Sequence, residues 1–523
     1  MTAAANQLDT PADLVNILAV GLAKRPDEIA MISRRAKWTW RELEEMSIRL
    51  AKSYLAHGMK PGDRVASLMP NRWELLVHYL ACLKAGLVAT PLNYRYMAPE
   101  IDHALGLSGS VVLVAHAERV ADLAATELTE KLPLGVVTYS AEEGTGPRFE
   151  DMLKAEHPEI SLPVLDPDAP YVIFFTSGST GKPKGVTHSL HTLGWMCRYI
   201  SHSMGIVEDD VMLPGSSMSH MGGFLWSFSC IVEGVKLIVA RSFDGDEMLP
   251  IFREFKPTVL FMIPAALFEL VRDHHGSHDD FASIRLCISG GDKISSVLEH
   301  EFMEKAGIIV SEIYGMTEIG VSHYNQDKSL DHLGSVGSVA PGFEAIIRDD
   351  DRNEVPFDTP GRVWVRSNCT TLGYWGNKEA TEEARDADGW FDTGDILKKD
   401  AAGFYWFCGR KKQIIVHDGS NICPQEVEEA LQGHSSVEHA GVVGVHDLVH
   451  GENVIAYITW QAGTAAATAP ELIAHAKALV GYKAPEEIVV LEEMPFNATG
   501  KVDRVTLKRY AEEAHRVDAE LAV

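Results

Sequence analysis

The chain is organised around residues 171–185, which read Tyr171-Val172-Ile173-Phe174-Phe175-Thr176-Ser177-Gly178-Ser179-Thr180-Gly181-Lys182-Pro183-Lys184-Gly185. The first five residues are apolar and rich in β-branched and aromatic side chains, which predicts a buried strand. The ten that follow combine glycine, proline, hydroxyl-bearing residues and lysine, a composition that opposes regular structure. Such a loop can direct backbone N–H groups, hydroxyls and lysine charges toward one anion. The stretch therefore predicts a strand that leads into a phosphate-binding loop.

Two other interpretations of this loop have to be weighed. A mobile polar loop without a ligand has the same composition, since isolated glycine-rich motifs produce false positives. A Walker A loop requires Gly-x4-Gly-Lys-Ser/Thr, and the residue five positions after Gly178 is Pro183. If the loop binds phosphate, it is therefore a phosphate loop of another kind.

Composition limits the class of protein. At 523 residues the chain is too long for a single core, which predicts more than one domain. The net charge of −27 argues against nucleic acid or an anionic membrane surface as a partner. No apolar run reaches the ~18 residues of a membrane span, and the first residues do not resemble a signal peptide. Seven scattered cysteines without a CxxC pair indicate buried thiols in a reducing compartment. We therefore expect a cytoplasmic protein without an integral membrane segment.

Helical and strand patterns alternate over the first 170 residues, with a predicted helix at 41–55 and a second that Asn71 could cap. This alternation predicts an α/β fold, in which a large N-terminal domain of mostly parallel sheets is covered by helices. From about residue 411 the strands are shorter, and Pro424 stands at the start of a helix. We predict domains at 1–409 and 410–523, the second a small, mobile α+β domain.

Further motifs suit a nucleotide. In Tyr314-Gly315-Met316-Thr317-Glu318, the ring can stack on a base, the glycine allows close approach and the carboxylate can hold Mg²⁺. Gly290 and Gly291 follow a predicted strand, where they would let the backbone approach a flat ligand. Asp395 ends the segment Trp390-Phe391-Asp392-Thr393-Gly394-Asp395, where it could accept hydrogen bonds from both ribose hydroxyls.

Residues 176–185 resemble the phosphate loop of the AMP-forming adenylating superfamily, which includes acyl-CoA synthetases, luciferases and the adenylation domains of peptide synthetases. The other motifs follow in the order of that family, so the resemblance covers about residues 38–504. It implies that the protein uses ATP, Mg²⁺ and coenzyme A in addition to a carboxylic acid substrate. It also implies two steps, in which the acid first forms an acyl-adenylate and a thiol then displaces AMP.

The resemblance assigns roles to matching positions of this sequence. ATP or AMP binding falls to Thr176, Ser177, Gly178, Ser179, Thr180, Gly181, Lys184, Gly290, Gly291, Asp292, Tyr314, Gly315, Met316, Thr317, Asp395, Arg410 and Lys501. The catalytic group comprises Lys501, Arg410, Glu318 and His220, and the metal ligands are Thr180 and Glu318. The acyl pocket comprises His220, Phe224, Trp226, Gly290 and Gly315, with Phe228 as a further candidate wall. The hinge is Lys412, and the coenzyme A site includes Gly419 and Asn421.

Several positions leave alternatives open. Asp292 stands where the family commonly has an apolar or small residue, and it could bind the adenine amino group or cap the following helix. Asp418 stands where the family often has glycine, which weakens the match at the thiol site. The aromatic residues Phe224, Trp226 and Phe228 could equally belong to the core.

The expected function is that of an acyl-CoA ligase for a medium- or long-chain fatty acid, because residues 218–228 are largely apolar. An aryl or short, branched acid is the alternative substrate, and a carrier-protein thiol is the alternative acceptor. A degenerate relative that binds an adenylate without turnover is the non-enzymatic reading. The sequence leaves open whether the protein forms a homodimer.

Overall fold

The computed structural model describes residues 8–140, 146–176, 183–243, 245–294, 296–327, 329–410, 413–417, 420–447, 451–497 and 500–521. Within these residues a large N-terminal part contains three sheets and a smaller C-terminal part contains a fourth. None of the helices found there is both long and apolar enough to cross a bilayer.

The described strands, in chain order, are β1 Ile29–Ile32, β2 Lys37–Thr39, β3 Arg64–Leu68, β4 Val88–Pro91, β5 Val112–His116, β6 Val136–Tyr139, β7 Pro170–Thr176, β8 Lys184–Ser189, β9 Val211–Gly215, β10 Lys236–Ile238, β11 Val259–Met262, β12 Leu286–Ser289, β13 Val310–Met316, β14 Gly320–Tyr324, β15 Ser338–Val339, β16 Phe343–Arg348, β17 Gly361–Ser367, β18 Gly373–Tyr374, β19 Phe391–Lys399, β20 Tyr405–Arg410, β21 Ile415–His417, β22 Ser420–Ile422, β23 Val437–Asp447, β24 Gly451–Trp460 and β25 Glu487–Val490.

The described α-helices are α1 Ala19–Lys24, α2 Trp40–Ala56, α3 Trp73–Lys84, α4 Ala98–Ser108, α5 Val120–Leu123, α6 Phe149–Lys154, α7 Leu190–Ser203, α8 Met221–Val232, α9 Gly245–Phe255, α10 Pro264–Phe268, α11 His278–Phe281, α12 Ser296–Ala306, α13 Lys378–Glu383, α14 Pro424–Gln432, α15 Ala469–Val480 and α16 Arg504–Leu521.

Two large, mainly parallel sheets form the body of the N-terminal part. One has nine strands in the order β15-β14-β13-β12-β11-β9-β10-β1-β2, and the other has seven in the order β18-β8-β7-β4-β3-β5-β6. The largest buried cluster joins helices α2, α3, α7 and α8 to strands of both sheets. Because helices cover sheets in which parallel pairing predominates, the predicted α/β class is confirmed.

The apolar run at the centre of the sequence is strand β7, as predicted. It pairs in parallel with β4 on one side and antiparallel with β8 on the other. Thr176 lies opposite Lys184 where β7 ends and β8 begins. The pair places both ends of the predicted phosphate loop at one edge of the sheet.

Asn71 does not cap α3, which corrects the prediction. The residue before this helix is Arg72. The buried Asn71 amide instead donates to the Ser216 carbonyl at 2.9 Å and accepts from the Met218 N–H at 2.8 Å. A buried amide that satisfies two backbone groups fixes the segment they belong to. Asn71 therefore fixes the segment that leads to His220.

The last two sheets lie on either side of the predicted domain boundary in the sequence. A four-stranded antiparallel sheet has the order β16-β17-β19-β20. The C-terminal sheet has the order β22-β21-β24-β23, with β25 parallel to β24. Helices α14 and α15 cover it, and its buried cluster draws on residues 415–484 alone. The smaller α+β unit of the predicted fold is thereby confirmed.

Candidate active site

Asp395 is the centre of a buried polar group at the edge of the four-stranded sheet. It is 3% exposed, and its Oδ2 accepts a hydrogen bond from the Tyr314 hydroxyl at 2.8 Å. Arg410 lies opposite it in the β19–β20 register, with Nε 3.2 Å from Oδ1. Burial raises the pKa of Asp395, and the Arg410 charge opposes that shift. Carboxylate, guanidinium and phenol together can hold a sugar with vicinal hydroxyls.

The turn between β13 and β14 presents Glu318. This carboxylate is 5% exposed, and its Oε1 accepts a hydrogen bond from the Tyr374 hydroxyl at 3.0 Å. His188, on β8, donates from Nε2 to the Thr317 carbonyl at 2.8 Å. Burial lowers the pKa of His188 to about 4, so the ring is neutral at pH 7. Strands β8 and β18 of the seven-stranded sheet therefore support the β13–β14 turn of the nine-stranded sheet.

The glycines predicted to line the nucleotide site stand where backbones approach closely. A Cβ on Gly290 would lie 2.4 Å from Cγ1 of Ile313, and one on Gly315 would lie 2.2 Å from the Gly320 carbonyl oxygen. Gly291 has a φ of +90°, which side chains rarely adopt. Asp292 accepts the Lys293 N–H through Oδ1 at 3.0 Å. A side chain at Gly290 or Gly315 would collide with its neighbours, and one at Gly291 would strain the backbone.

Lys501 reaches the site from the C-terminal part on a tight turn. The Asn497 side chain accepts the Lys501 N–H at 3.1 Å, and Gly500 has a φ of +81°. Burial lowers the pKa of Lys501, while the carboxylates of Asp292 and Asp395 oppose that shift. The charge of Lys501 therefore interacts with that of Asp395, although Lys501 lies on a turn of the C-terminal part and Asp395 on β19.

His220 precedes helix α8 and faces the same region. Burial lowers its pKa to about 4, and the Lys501 charge adds to the effect. Phe224 and Phe228 stack with centroids 4.0 Å apart, and Phe224 also packs on Phe174 at 5.2 Å. Both phenylalanines are fully buried among other aromatic rings, which favours core packing over a pocket wall.

Trp226 is also buried, and it stacks on Phe261 at 5.4 Å. Phe261 belongs to β11, whose C-terminal end lies beside that of β12. Trp226 therefore packs on β11, and the neighbouring strand β12 leads into Gly290.

Glu318 has the chemistry expected of a Mg²⁺ ligand. Mg²⁺ is usually bound by one or two carboxylates together with water and substrate phosphates. The described residues contain no cluster of three or more acidic, histidine or cysteine ligands, as a site for a tightly held resident ion would have. A single buried carboxylate such as Glu318 fits an ion whose remaining ligands are water and nucleotide phosphates.

Some sequence predictions lie outside the described residues. They are Ser177, Gly178, Ser179, Thr180, Gly181, Lys412 and Gly419, together with the Asn421 side chain. Thr176 and Lys184 flank the loop, and the Lys184 ammonium lies 4.6 Å from the centroid of the Tyr374 ring. Met316 ends β13 and is partly buried. His188, Tyr374 and Asn71 were missed as supports of the site, since single polar residues carry no motif signal.

Comparisons with known proteins agree with this arrangement. The family described as AMP-binding enzyme matches residues 18–375, and the AMP-binding enzyme C-terminal domain matches residues 426–501. A feruloyl-CoA synthase of Amycolatopsis sp is 31% identical over 480 residues, which cover 90% of this chain and 93% of that protein. A long-chain-fatty-acid–CoA ligase of Yersinia pestis is 27% identical over 538 residues, which cover 96% and 94%.

The solved structures include two states of one protein. ATP-bound MatB from Rhodopseudomonas palustris superposes with a TM-score of 0.87 at 26% identity, covering 96% of this chain and 99% of that one. Its apo form gives a TM-score of 0.78 at the same identity and coverage. With both family domains matched in order over most of the sequence, the chain belongs to the AMP-binding enzyme family and is an AMP-forming acyl-CoA synthetase of the adenylate-forming superfamily.

Proposed function

We propose that this enzyme joins a carboxylic acid with an apolar body to coenzyme A, and a medium- or long-chain fatty acid is our first candidate. The observation that carries the proposal is the convergence of Asp395, Arg410 and Lys501 on one site built from both domains. We place the domain boundary at 409/410, so that residues 1–409 bind ATP and acid and residues 410–523 deliver the lysine.

In the first step a carboxylate oxygen of the acid attacks the α-phosphorus of ATP, and the bond to pyrophosphate breaks. Asp395 and Arg410 hold the ribose, while the base lies between the Tyr314 ring and the backbone of Gly290 and Gly291. Two anions must meet in line, so positive charge is needed where they approach. The Lys501 ammonium supplies it, since the carboxylates around it oppose loss of its proton.

Mg²⁺ would be held by Glu318 and by Thr180, which lies outside the described residues. When bound it would neutralise phosphate charge. Tyr374 keeps the Glu318 carboxylate oriented through its hydrogen bond to Oε1.

In the second step the thiol sulfur of coenzyme A attacks the acyl carbonyl carbon. The bond to AMP breaks, and the thiol proton is lost. Lys501 has no task in this step, so the small domain can turn about Lys412 and present the Gly419–Asn421 segment instead. The better fit to ATP-bound than to apo MatB supports the assignment of the described arrangement to the first step.

We infer the class of acid from the charge of His220, a residue of the predicted acyl pocket. His220 is neutral at pH 7 because burial lowers its pKa to about 4, so it offers no cation for a second carboxylate. A monocarboxylic acid with an apolar chain therefore suits this side of the site. An aryl acid is the second candidate, because the feruloyl-CoA synthase shares 31% identity over 90% of this chain.

The test is a product analysis. The protein is incubated with ATP, Mg²⁺, coenzyme A and one acid from a panel that contains hexanoate, dodecanoate, palmitate, benzoate and ferulate. Acid-dependent AMP that also requires coenzyme A supports the proposal, and the ranking of the panel identifies the substrate. AMP that is indifferent to coenzyme A indicates another thiol acceptor. Formation of ADP would contradict the proposal.

We further propose that the enzyme works in the cytoplasm. All seven cysteines are free thiols, which suits a reducing compartment. Expression of a fluorescent fusion, with fractionation of the cells, would test this placement.

A further inference from the structure

Lys293 and Glu429 form an ion pair between the two domains. Lys293 follows the Gly290-Gly291-Asp292 segment of the large domain, and Glu429 lies on α14 of the small one. The Lys293 ammonium donates to Oε2 of Glu429 at 2.5 Å, and the two side chains are 16% and 33% exposed. A pair this sheltered is screened less by water than a surface pair.

The pair is connected to the catalytic lysine through the neighbouring residue of α14. The Glu428 carboxylate accepts hydrogen bonds from the Arg504 guanidinium, and its Oε1 lies 3.1 Å from Arg504 Nε. Arg504 stands three residues after Lys501 and begins helix α16. Two consecutive glutamates therefore join the nucleotide-binding segment on one side to the lysine turn on the other.

Lys293 also has acidic neighbours on its own domain. Glu299 on α12 and Glu312 on β13 are each 1% exposed, and each has one carboxylate oxygen without a hydrogen-bond partner. Burial raises the pKa of both carboxyl groups, and the Lys293 charge opposes that shift. Burial alone would lower the pKa of Lys293, but the interactions with Glu429, together with those with Glu312 and Cys408, offset this and the pKa is raised.

We propose that Lys293 and Glu429 are positioning residues that hold Lys501 in place for adenylate formation. The inference rests on the proposed two-step function and adds the contact that selects the first state. Two further contacts across the same boundary do not pair opposite charges: Arg272 Nη1 lies 3.1 Å from Gln461 Oε1, and the Phe268 and His439 rings lie 5.3 Å apart.

The arrangement allows the contact to be broken without stranding a charge. When α14 moves away, Glu429 enters water, and Lys293 keeps Glu299 and Glu312 as neighbours within its own domain. A buried ammonium that lost its only counter-charge would strongly oppose the motion. Either carboxyl group can release its proton to balance the Lys293 ammonium, so the ion pair favours one state and still permits the other.

The test compares Glu429→Gln with Glu426→Gln, a matched control on the same helix. Glu426 pairs with Lys483 inside the small domain, at 2.7 Å, so its loss removes a similar ion pair that does not cross the boundary. Three quantities are measured: hydrogen exchange of the amides in 264–272 and α14, acid-dependent ATP–pyrophosphate exchange, and thioester formation from a supplied acyl-adenylate.

We expect Glu429→Gln to speed amide exchange at the boundary and to slow ATP–pyrophosphate exchange by about three- to tenfold. Thioester formation should not slow, because that step does not use the contact. Glu426→Gln should match the wild type in all three. Equal amide exchange in the two variants would overturn the inference, as would equal slowing of both half-reactions. If no acid supports pyrophosphate exchange, the proposed function fails, while the amide measurement still decides the inference.

Discussion

Arg410 faces Asp395 directly across strands β19 and β20, with its Nε 3.2 Å from Oδ1 of that carboxylate. Tyr314 from another sheet holds the second carboxylate oxygen. Arg410 is also the last described residue before the proposed hinge at 412. Arg410, one of the residues that would bind the ribose, therefore lies at the proposed domain boundary.

Replacement of Asp395 by alanine should weaken nucleotide binding. Hydrogen bonds to a charged group are the strong ones, so we expect the KM for ATP to rise about ten- to a hundredfold. Tyr314→Phe removes one hydrogen bond and keeps the ring, and its effect should stay below about tenfold. ATP titrations of both variants check this, and a larger effect from Tyr314→Phe would contradict the assigned roles.

Replacement of Lys501 by alanine should separate the half-reactions. Loss of one preorganised charge typically costs about 10²–10³ in rate, so ATP–pyrophosphate exchange should fall by that order. Thioester formation from a supplied acyl-adenylate should be retained. Lys508→Ala, which removes an exposed lysine paired with Glu452, serves as the control. Equal losses in both steps for Lys501→Ala would exclude a role confined to adenylation.

Glu312 should make stability depend on pH. Burial raises its pKa from 4.5 to about 8, so the folded state holds a proton that the unfolded state releases. The free energy of unfolding should therefore fall as pH rises from about 5 through about 8. Glu312→Gln lacks this proton and should show a flatter profile over that range, with its gain over the wild type largest at the alkaline end. Thermal unfolding of both proteins across the range measures the difference.

The thiols of Cys408 and Cys423 affect each other's pKa from opposite sides of the proposed domain boundary. Hydrogen bonding to Cys423 lowers the pKa of Cys408 and raises that of Cys423. Diamide should join them, as the two thiols lose two electrons and two protons and the reagent becomes a hydrazine. The cross-linked enzyme should keep ATP–pyrophosphate exchange and lose thioester formation, and dithiothreitol should restore it. Cys423→Ala should resist the treatment; an inhibited Cys423→Ala enzyme would show that another thiol is responsible.

The motifs predicted more of the nucleotide site than of its surroundings. The strand expected at 171–175 is β7, and Asp395 and Arg410 were both named from their motifs. Their direct pairing could not be predicted, because β19 and β20 belong to an antiparallel sheet whose register shifts at a bulge between Ile396 and Leu397. The register of such a strand pair depends on the hydrophobic pattern and the turn that joins the strands, and a bulge changes it.

The acyl side was harder to predict. Helix α8 is buried around almost its whole circumference, so apolar periodicity cannot separate core residues from pocket walls. The structure places Phe224 and Phe228 in an aromatic cluster, and Trp226 against β11. His188 is a comparable case, since only the tertiary structure brings a lone histidine of β8 to the Thr317 carbonyl.

The antiparallel pairing of β7 with β8 has a consequence for product release. The segment proposed to bind phosphate lies between these two strands in the sequence, and helix α7 begins only after β8 ends at Ser189. On this proposal, no helix dipole of α7 would stand directly behind the phosphates, as it does where a strand leads straight into a helix. On the proposed mechanism, much of the countercharge is carried by a metal ion and by a lysine of the other domain. Pyrophosphate would lose its contact with that lysine when the small domain turns. Release of pyrophosphate and the change from the adenylation arrangement to the thioester arrangement would therefore be a single event.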